Sequence, residues 1–419
     1  MKAGMSRGEP SLIIGVRNRR RAVAVCAAVG AWAFASGGLA SHAFADDAAP
    51  QEWYLDSMHA SEMWRTSTGK GIKVAVVDTG VNPDTPSLRG QVLSQEVPQA
   101  AAYGATKDYV GHGTTMAELI AGTGNGGGIK GLAPDAKVIP FRVAMKTMKD
   151  SAERKLTPLA AVGIRAAADS DAKIINLSFG GAIQEPGEGE AIKYALSKGK
   201  LVFAATGNDE EAGGGLLEFP AAFPGVVGVS AADASGTVGK FSQSGNYVDL
   251  ASPGLNVPAW CDTTFQKYCN ASGTSAASAI ASASAALIWS AHPTWTADQV
   301  LRTMIDTAGR TWDKNTPSKY LGYGLIRPRL VLEQTNINPG PAGVDPLAKE
   351  NGGSSAPPVT PAAPDSSPPA KGEAVAKAEG KGNGGGGNTQ LWAVGGVVAG
   401  LVVIGGGLFA LIRTRRRAT

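Results

Sequence analysis

Four side chains in this sequence could together cleave an acyl bond. Asp78 ends the apolar run Ile72-Lys73-Val74-Ala75-Val76-Val77. His112 lies in Gly111-His112-Gly113-Thr114, ahead of a helical pattern from Met116 to Ala121. Ser275 lies in Ser272-Gly273-Thr274-Ser275-Ala276-Ala277 and opens a long run of small residues. A serine hydroxyl is a weak nucleophile at neutral pH. It needs an adjacent base, and the base needs a carboxylate to fix its tautomer and stabilise its charged form. At a helix start, Ser275 would also have backbone N–H groups and a favourable dipole beside it for an oxyanion. Gly273 allows close backbone approach. Asn208, in Ala205-Thr206-Gly207-Asn208, supplies an amide that could donate to the same oxyanion. Of four histidines, His42 lies in an N-terminal leader, His59 precedes the core and His292 sits in the turn Ala291-His292-Pro293. That leaves His112. Taken singly, each residue also has an ordinary role as a cap or turn former. It is the set, in the order Asp, His, Asn, Ser, that points to chemistry.

These residues must be held at element ends. The runs 72–77, 138–143, 173–177, 201–205 and 226–229 are continuously apolar rather than alternating, the pattern of strands covered on both faces of a parallel sheet. Helical patterns lie at 159–168, 189–198, 275–291 and 296–308. Thr157-Pro158 reads as the cap and first position of the first of these. One α/β domain accounts for the pattern, and in open sheets of this kind sites form at the carboxyl ends of strands.

The chain has 419 residues and a net charge of +4, which is concentrated at its ends. Residues 1–21 carry +5 and residues 413–419 carry +4, which leaves −5 for residues 22–412. A nucleic-acid partner is therefore not expected. Arg17 and Arg19 to Arg21 precede the apolar stretch Ala22–Ala40, and Ala43-Phe44-Ala45 fits a cleavage site, so residues 1–45 read as a secretory signal peptide. Residues 46–71 form an N-terminal extension and 72–335 the body. Residues 336–390 are rich in Pro, Gly, Ala, Ser and Lys and read as a linker with an r.m.s. span of about 40 Å. Residues 391–412 are 22 in number without a charge, enough to span a bilayer. The arginine-rich residues 413–419 place the tail in the cytoplasm, the body outside the cell and the protein on the membrane through one helix.

The motifs Val76-Val77-Asp78-Thr79-Gly80-Val81, Gly111-His112-Gly113-Thr114 and Gly273-Thr274-Ser275 resemble those of the subtilisin-family serine proteases (subtilases). Their order, Asp…His…Ser, is that of subtilisin. Further matches are Gly131-Leu132-Ala133-Pro134, Ile175-Asn176-Leu177-Ser178-Phe179-Gly180-Gly181, Phe219-Pro220-Ala221 and Phe241-Ser242. The resemblance covers residues 70–330. It implies a subtilisin-like α/β fold with a mostly parallel seven-stranded sheet, helices on both faces, and endopeptidase activity on protein or peptide substrates. It also implies substrate-backbone binding by Ser178, Phe179 and Gly180. Two departures stand out. The family commonly continues Met-Ala-Ala-Pro after the serine, where this chain has Ala276-Ala277-Ser278-Ala279. The 26 residues from Asp46 to Gly71 are too few for a folded pro-domain. Signal peptide, short extension, body, Pro-rich linker, single helix and basic tail together resemble the mycosins, the membrane-anchored subtilases associated with type VII secretion. Gln51-Glu52-Trp53-Tyr54-Leu55 and Ala60-Ser61-Glu62-Met63-Trp64 are similar to a mycosin extension lying against the body.

Cys261 and Cys269 remain after leader removal, and export favours a disulfide between them, with two free thiols as the alternative. No His, Cys and carboxylate cluster has ligand spacing, so neither a cofactor nor a catalytic metal is expected, and structural calcium is left open. Three functions compete: an anchored endopeptidase, a structural component of a membrane secretion complex with proteolysis secondary, and a soluble degradative protease, which the anchor disfavours.

Overall fold

A computed structural model describes residue 48, residues 52–212 and residues 216–349. The expected signal peptide, the linker beyond 349, the membrane helix and the basic tail lie outside the described residues.

The chain runs α1 (Trp53–Ser57), α2 (Ala60–Met63), β1 (Lys73–Asp78), α3 (His112–Ala121), β2 (Lys137–Arg142), α4 (Ser151–Leu156), α5 (Ala160–Asp169), β3 (Ile174–Leu177), α6 (Glu188–Ser197), β4 (Leu201–Ala205), β5 (Val227–Ala232), β6 (Leu250–Pro253), β7 (Val257–Trp260), β8 (Tyr268–Ala271), α7 (Thr274–Ala291), α8 (Ala297–Thr307) and α9 (Pro328–Glu333). The first six strands form one parallel sheet in the order β2-β1-β3-β4-β5-β6. β7 and β8 pair antiparallel as a separate hairpin.

Successive side chains on a strand face opposite ways, and both faces are apolar. Val74, Val76, Ile174 and Phe203 join one core with α3 and α7. Ala75, Val77, Ile175, Val202 and Ala204 join the other with Ile164 of α5 and Ile192 of α6. Burial on both sides is why the strands read as unbroken hydrophobic runs. α7 meets the sheet through alanines and serines, which let its backbone come close. It is the one helix among the described residues apolar and long enough to cross a membrane, yet 83% of it is buried in the body.

Three expectations need correction. The sheet has six strands among the described residues rather than seven. Beyond β2 the chain makes only one parallel bridge, Val92 to Val138, before entering the turn Ser94–Glu96. Thr157 does not cap α5. It closes α4, donating from Oγ1 to the Glu153 carbonyl at 2.9 Å, and α5 begins after Leu159 with no side-chain cap. Asp150 caps α4, and Pro158 prevents the two helices from merging. Finally, residues 336–349 are not free linker. They lie along α8, with Gln299 Nε2 donating to the Gly340 carbonyl at 2.9 Å, Thr296 Oγ1 to that of Ala342 at 2.8 Å, and Leu347 buried.

The extension packs on the body. Tyr54 is fully buried and donates to the Lys130 carbonyl at 2.7 Å. Trp53 and Trp64 donate from Nε1 to the carbonyls of Leu255 and Leu132 at 2.9 and 2.8 Å.

Candidate active site

The strand order reverses direction at β1, with β2 on one side and β3 on the other, so a crevice opens beyond their carboxyl ends. Asp78 is the last residue of β1 and fully buried. Its Oδ1 accepts from the Thr79 N–H at 2.7 Å and lies 2.8 Å from His112 Nδ1. A buried acceptor-only carboxylate holds the proton on Nδ1 and leaves Nε2 as the basic nitrogen. The His112 side chain is a third exposed. Burial is the largest influence on it and lowers its basicity. The charge and hydrogen bond of Asp78, with the charge of Asp108, outweigh that and leave its pKa raised.

His112 is the first residue of α3, and the start of that helix is fixed by groups the sequence reading passed over. Asp108 accepts from the N–H groups of Val110, Gly111 and Thr114 and from the hydroxyls of Thr79 and Thr114, all within 3.0 Å. It is therefore the helix's N-terminal carboxylate. An Asp a few residues ahead of Gly-His-Gly-Thr is the signal that could have revealed it. Thr79 Oγ1 in turn accepts from the Gly113 N–H at 2.9 Å. Gly113 must be glycine, because a Cβ there would stand 2.2 Å from the Gly80 carbonyl oxygen.

Ser275 is the second residue of α7. Its Oγ donates to the Ser178 carbonyl at 2.9 Å, and Ser178 Oγ donates to the Ser275 carbonyl at 2.8 Å. Thus the hydroxyl rests on the segment after β3 rather than on His112. Asn176 of β3 joins this pair from below. It donates from Nδ2 to Ser178 Oγ at 2.8 Å and accepts at Oδ1 from Ser278 and Ser282 of α7. Ser278 belongs to the segment that departs from the family's Met-Ala-Ala-Pro, and here it ties the helix to the sheet.

Asn208 accepts at Oδ1 from the N–H and hydroxyl of Thr274 at 2.9 and 3.0 Å, which orients its amide and leaves Nδ2 as the outward donor. The position a Cβ would take on Gly273 lies 3.6 Å from Asn208 Nδ2 and 3.8 Å from the Ser275 nitrogen. Glycine therefore leaves open the space bordered by both donors.

His112, Ser275, Asn208, Ser178, Phe179 and Gly180 line one cavity of about 290 Å³. The structure therefore brings together the sequence-selected residues, with Asp78 directly behind His112. His59 and His292 play other parts: His59 precedes α2 with a φ of 58°, and His292 stacks on Trp295 at 3.8 Å. Cys261 and Cys269 are joined in a disulfide at the loop end of the β7–β8 hairpin. That hairpin touches α3: the Trp260 N–H donates to Thr115 Oγ1 at 3.1 Å and Tyr268 OH to Glu118 Oε2 at 3.0 Å. Two buried acids near the cavity, Glu188 and Glu218, were not selected from sequence as site residues.

A family model described as the Subtilase family matches residues 69–324. Thermitase of Thermoactinomyces vulgaris is 35% identical over 230 residues, covering 52% of this chain and 75% of thermitase. The minor extracellular protease Epr of Bacillus subtilis is 33% identical over 287 residues, 66% of this chain, and the match spans 41% of Epr's length. Among solved structures, the MycP3 protease from the type VII (ESX-3) secretion system is 27% identical with a TM-score of 0.55, covering 71% of this chain and 90% of that one. MycP1 from Mycobacterium smegmatis is 26% identical with a TM-score of 0.54, covering 73% and 88%.

Proposed function

The chain belongs to the subtilase family, and on that premise we propose that it is a serine endopeptidase with Ser275 as nucleophile. His112 takes the hydroxyl proton at Nε2 as the oxygen attacks the scissile carbonyl carbon. Asp78 holds the imidazole and stabilises its cation. Asn208 Nδ2 and the Ser275 N–H donate to the oxyanion in the space kept open by Gly273. His112 then protonates the leaving amine, and water repeats the sequence to release the acid. Ser178, Phe179 and Gly180 receive the substrate backbone. The observation that carries this reading is the 2.8 Å contact of buried Asp78 with His112, whose ring lines the same cavity as Ser275. The resting bond from Ser275 to Ser178 must break, and rotation about the serine Cα–Cβ bond between staggered positions would do so. A fluorophosphonate probe should label the wild-type body and not Ser275→Ala. Absence of labelling in both would overturn the reading.

The finer assignment is an anchored, extracytoplasmic processing protease acting on substrates of a type VII secretion system. Its supports are the likeness to MycP3 and MycP1 and the uncharged residues 391–412. The alternative is a structural component of a membrane secretion complex. The Ser275 hydroxyl engaged by Ser178 and the departure at Ala276-Ala277-Ser278-Ala279 favour it. Secretion by cells carrying Ser275→Ala separates them: export with substrates cut as in the wild type supports the structural role, and substrates that stay uncut support the protease.

A further inference from the structure

From the cavity that holds His112 and Ser275, we propose that Glu188 is a specificity-determining residue, which accepts the cationic end of a lysine or arginine side chain of the substrate. The inference rests on the endopeptidase reading and names the substrate class of that site.

From sequence the acidic stretch Glu185 to Glu190 reads as a solvated charged loop, with a preference for basic or extended partners as the alternative, and the fold divides it. Glu185 and Glu190 are exposed, whereas Glu188, in the first turn of α6, is 1% exposed and lines the cavity. The walls around it include Val143, Met145, Ala160 and Ile183, all apolar. A buried carboxylate in the same lining as these apolar side chains fits a side chain with a hydrocarbon stem and a charged tip. Among the described residues no cation is paired with Glu188. Lys146 lines the cavity but extends over Gly181, and its charge acts on Glu218 instead. Burying a carboxylate without a cation is costly, and a substrate cation would remove that cost.

The charge state agrees with this placement. Burial pushes the Glu188 carboxyl up to about 7. A hydrogen bond from the Glu185 backbone pulls it down, and the Glu185 charge raises it again. The other groups to reckon with are Lys146 and Glu185 in the cavity lining and His112 at its catalytic end. On α5, packed alongside, Arg165 lies over the Tyr194 ring and Asp169 accepts from the Tyr194 hydroxyl.

Internally quenched peptides, identical except for lysine or norleucine at each position in turn, test the proposal. At one position the wild-type protein should cleave the lysine peptide with a kcat/KM about tenfold to a hundredfold higher. That ratio should rise between pH 6 and 8 as Glu188 ionises, because the ionisation of His112 is common to both peptides and cancels. Glu188→Gln should collapse the ratio and its pH dependence, and Glu188→Asp should retain part of both. Equal cleavage of both peptides at every position overturns the proposal and leaves the protease intact. So does a lysine preference that survives Glu188→Gln or disappears with Glu218→Gln. No cleavage of any peptide, together with no fluorophosphonate labelling, overturns the protease reading and this inference with it.

Discussion

His112 sets the acid limb of the expected activity. A general base must be neutral, and the raised pKa means that activity falls on acidification at a higher pH than for an ordinary histidine. Asp78→Asn removes the largest upward influence and the tautomer lock. It should lower kcat by about 10⁴ and shift the acid limb to lower pH, as a pH–rate profile would register. An unshifted limb would show that Asp78 is not coupled to the base. Asn208→Ala should cost roughly 3–4 kcal/mol in kcat with little change in KM, provided Nδ2 donates only to the transition state. A loss confined to KM would assign Asn208 to ground-state binding. Glu118 is a different kind of buried acid. Burial raises its carboxyl to about 8, against hydrogen bonds from Thr85 and Tyr268. It is therefore protonated at neutral pH. The folded state binds that proton more tightly than the unfolded one. Its contribution to stability is full below about 4.5, the ordinary glutamate value, and is lost as pH rises through 8. Glu118→Gln should flatten the dependence of Tm on pH between 5 and 9 and raise Tm at pH 9 by at least about 2 °C. Parallel melting curves for the two proteins would disprove this.

Each element end does a separate job in placing the chemistry. β1 delivers Asp78, α3 presents His112 in its first turn, and α7 presents Ser275 in its own. Asp108 fixes the start of α3, and Asn176 ties α7 to β3 through Ser278 and Ser282. The β7–β8 hairpin supports α3 from the other side and is closed by the Cys261–Cys269 disulfide across a sequence separation of 8. A loop of that size is worth roughly 2–3 kcal/mol by chain entropy. Replacing both cysteines by serine should therefore lower Tm by several degrees, and reductant should lower the wild type to match. Calorimetry with and without reductant reads both. No change in either would show the hairpin to be held by its aromatic contacts alone, Trp260 on Tyr268 at 3.9 Å and on Phe265 at 5.5 Å.

Across the whole molecule, two segments outside the sheet are docked onto the body. Residues 336–349 lie along α8, and the N-terminal helices sit on the core through Trp53, Tyr54 and Trp64. The body is therefore larger than its catalytic motifs, and the extension is part of its stability. Tyr54→Ala should destabilise it by about 3–5 kcal/mol, and Tyr54→Phe by about 1, the net worth of the hydrogen bond to Lys130. Denaturant unfolding distinguishes them. A near-zero effect of Tyr54→Ala would mean that the extension detaches before the body unfolds.

Local pattern was enough to read the strands and helices that carry the site, because parallel strands buried on both faces leave continuous apolar runs and helices leave a period of 3.6. Asp78, His112, Asn208 and Ser275 were legible for a related reason: each lies at an element end, in a short motif whose glycines make room for close backbone approach. The partners of those residues were not legible. Asp108 beneath α3, Asn176 beneath α7, and Glu188 in the cavity lining are ordinary polar residues in sequence. Only packing decides which of them lose water and what they then face. The same holds for the resting place of the Ser275 hydroxyl on Ser178, for a seventh strand shortened to one bridge, and for the docking of residues 336–349. All are contacts between segments distant in the chain, and no local periodicity encodes them.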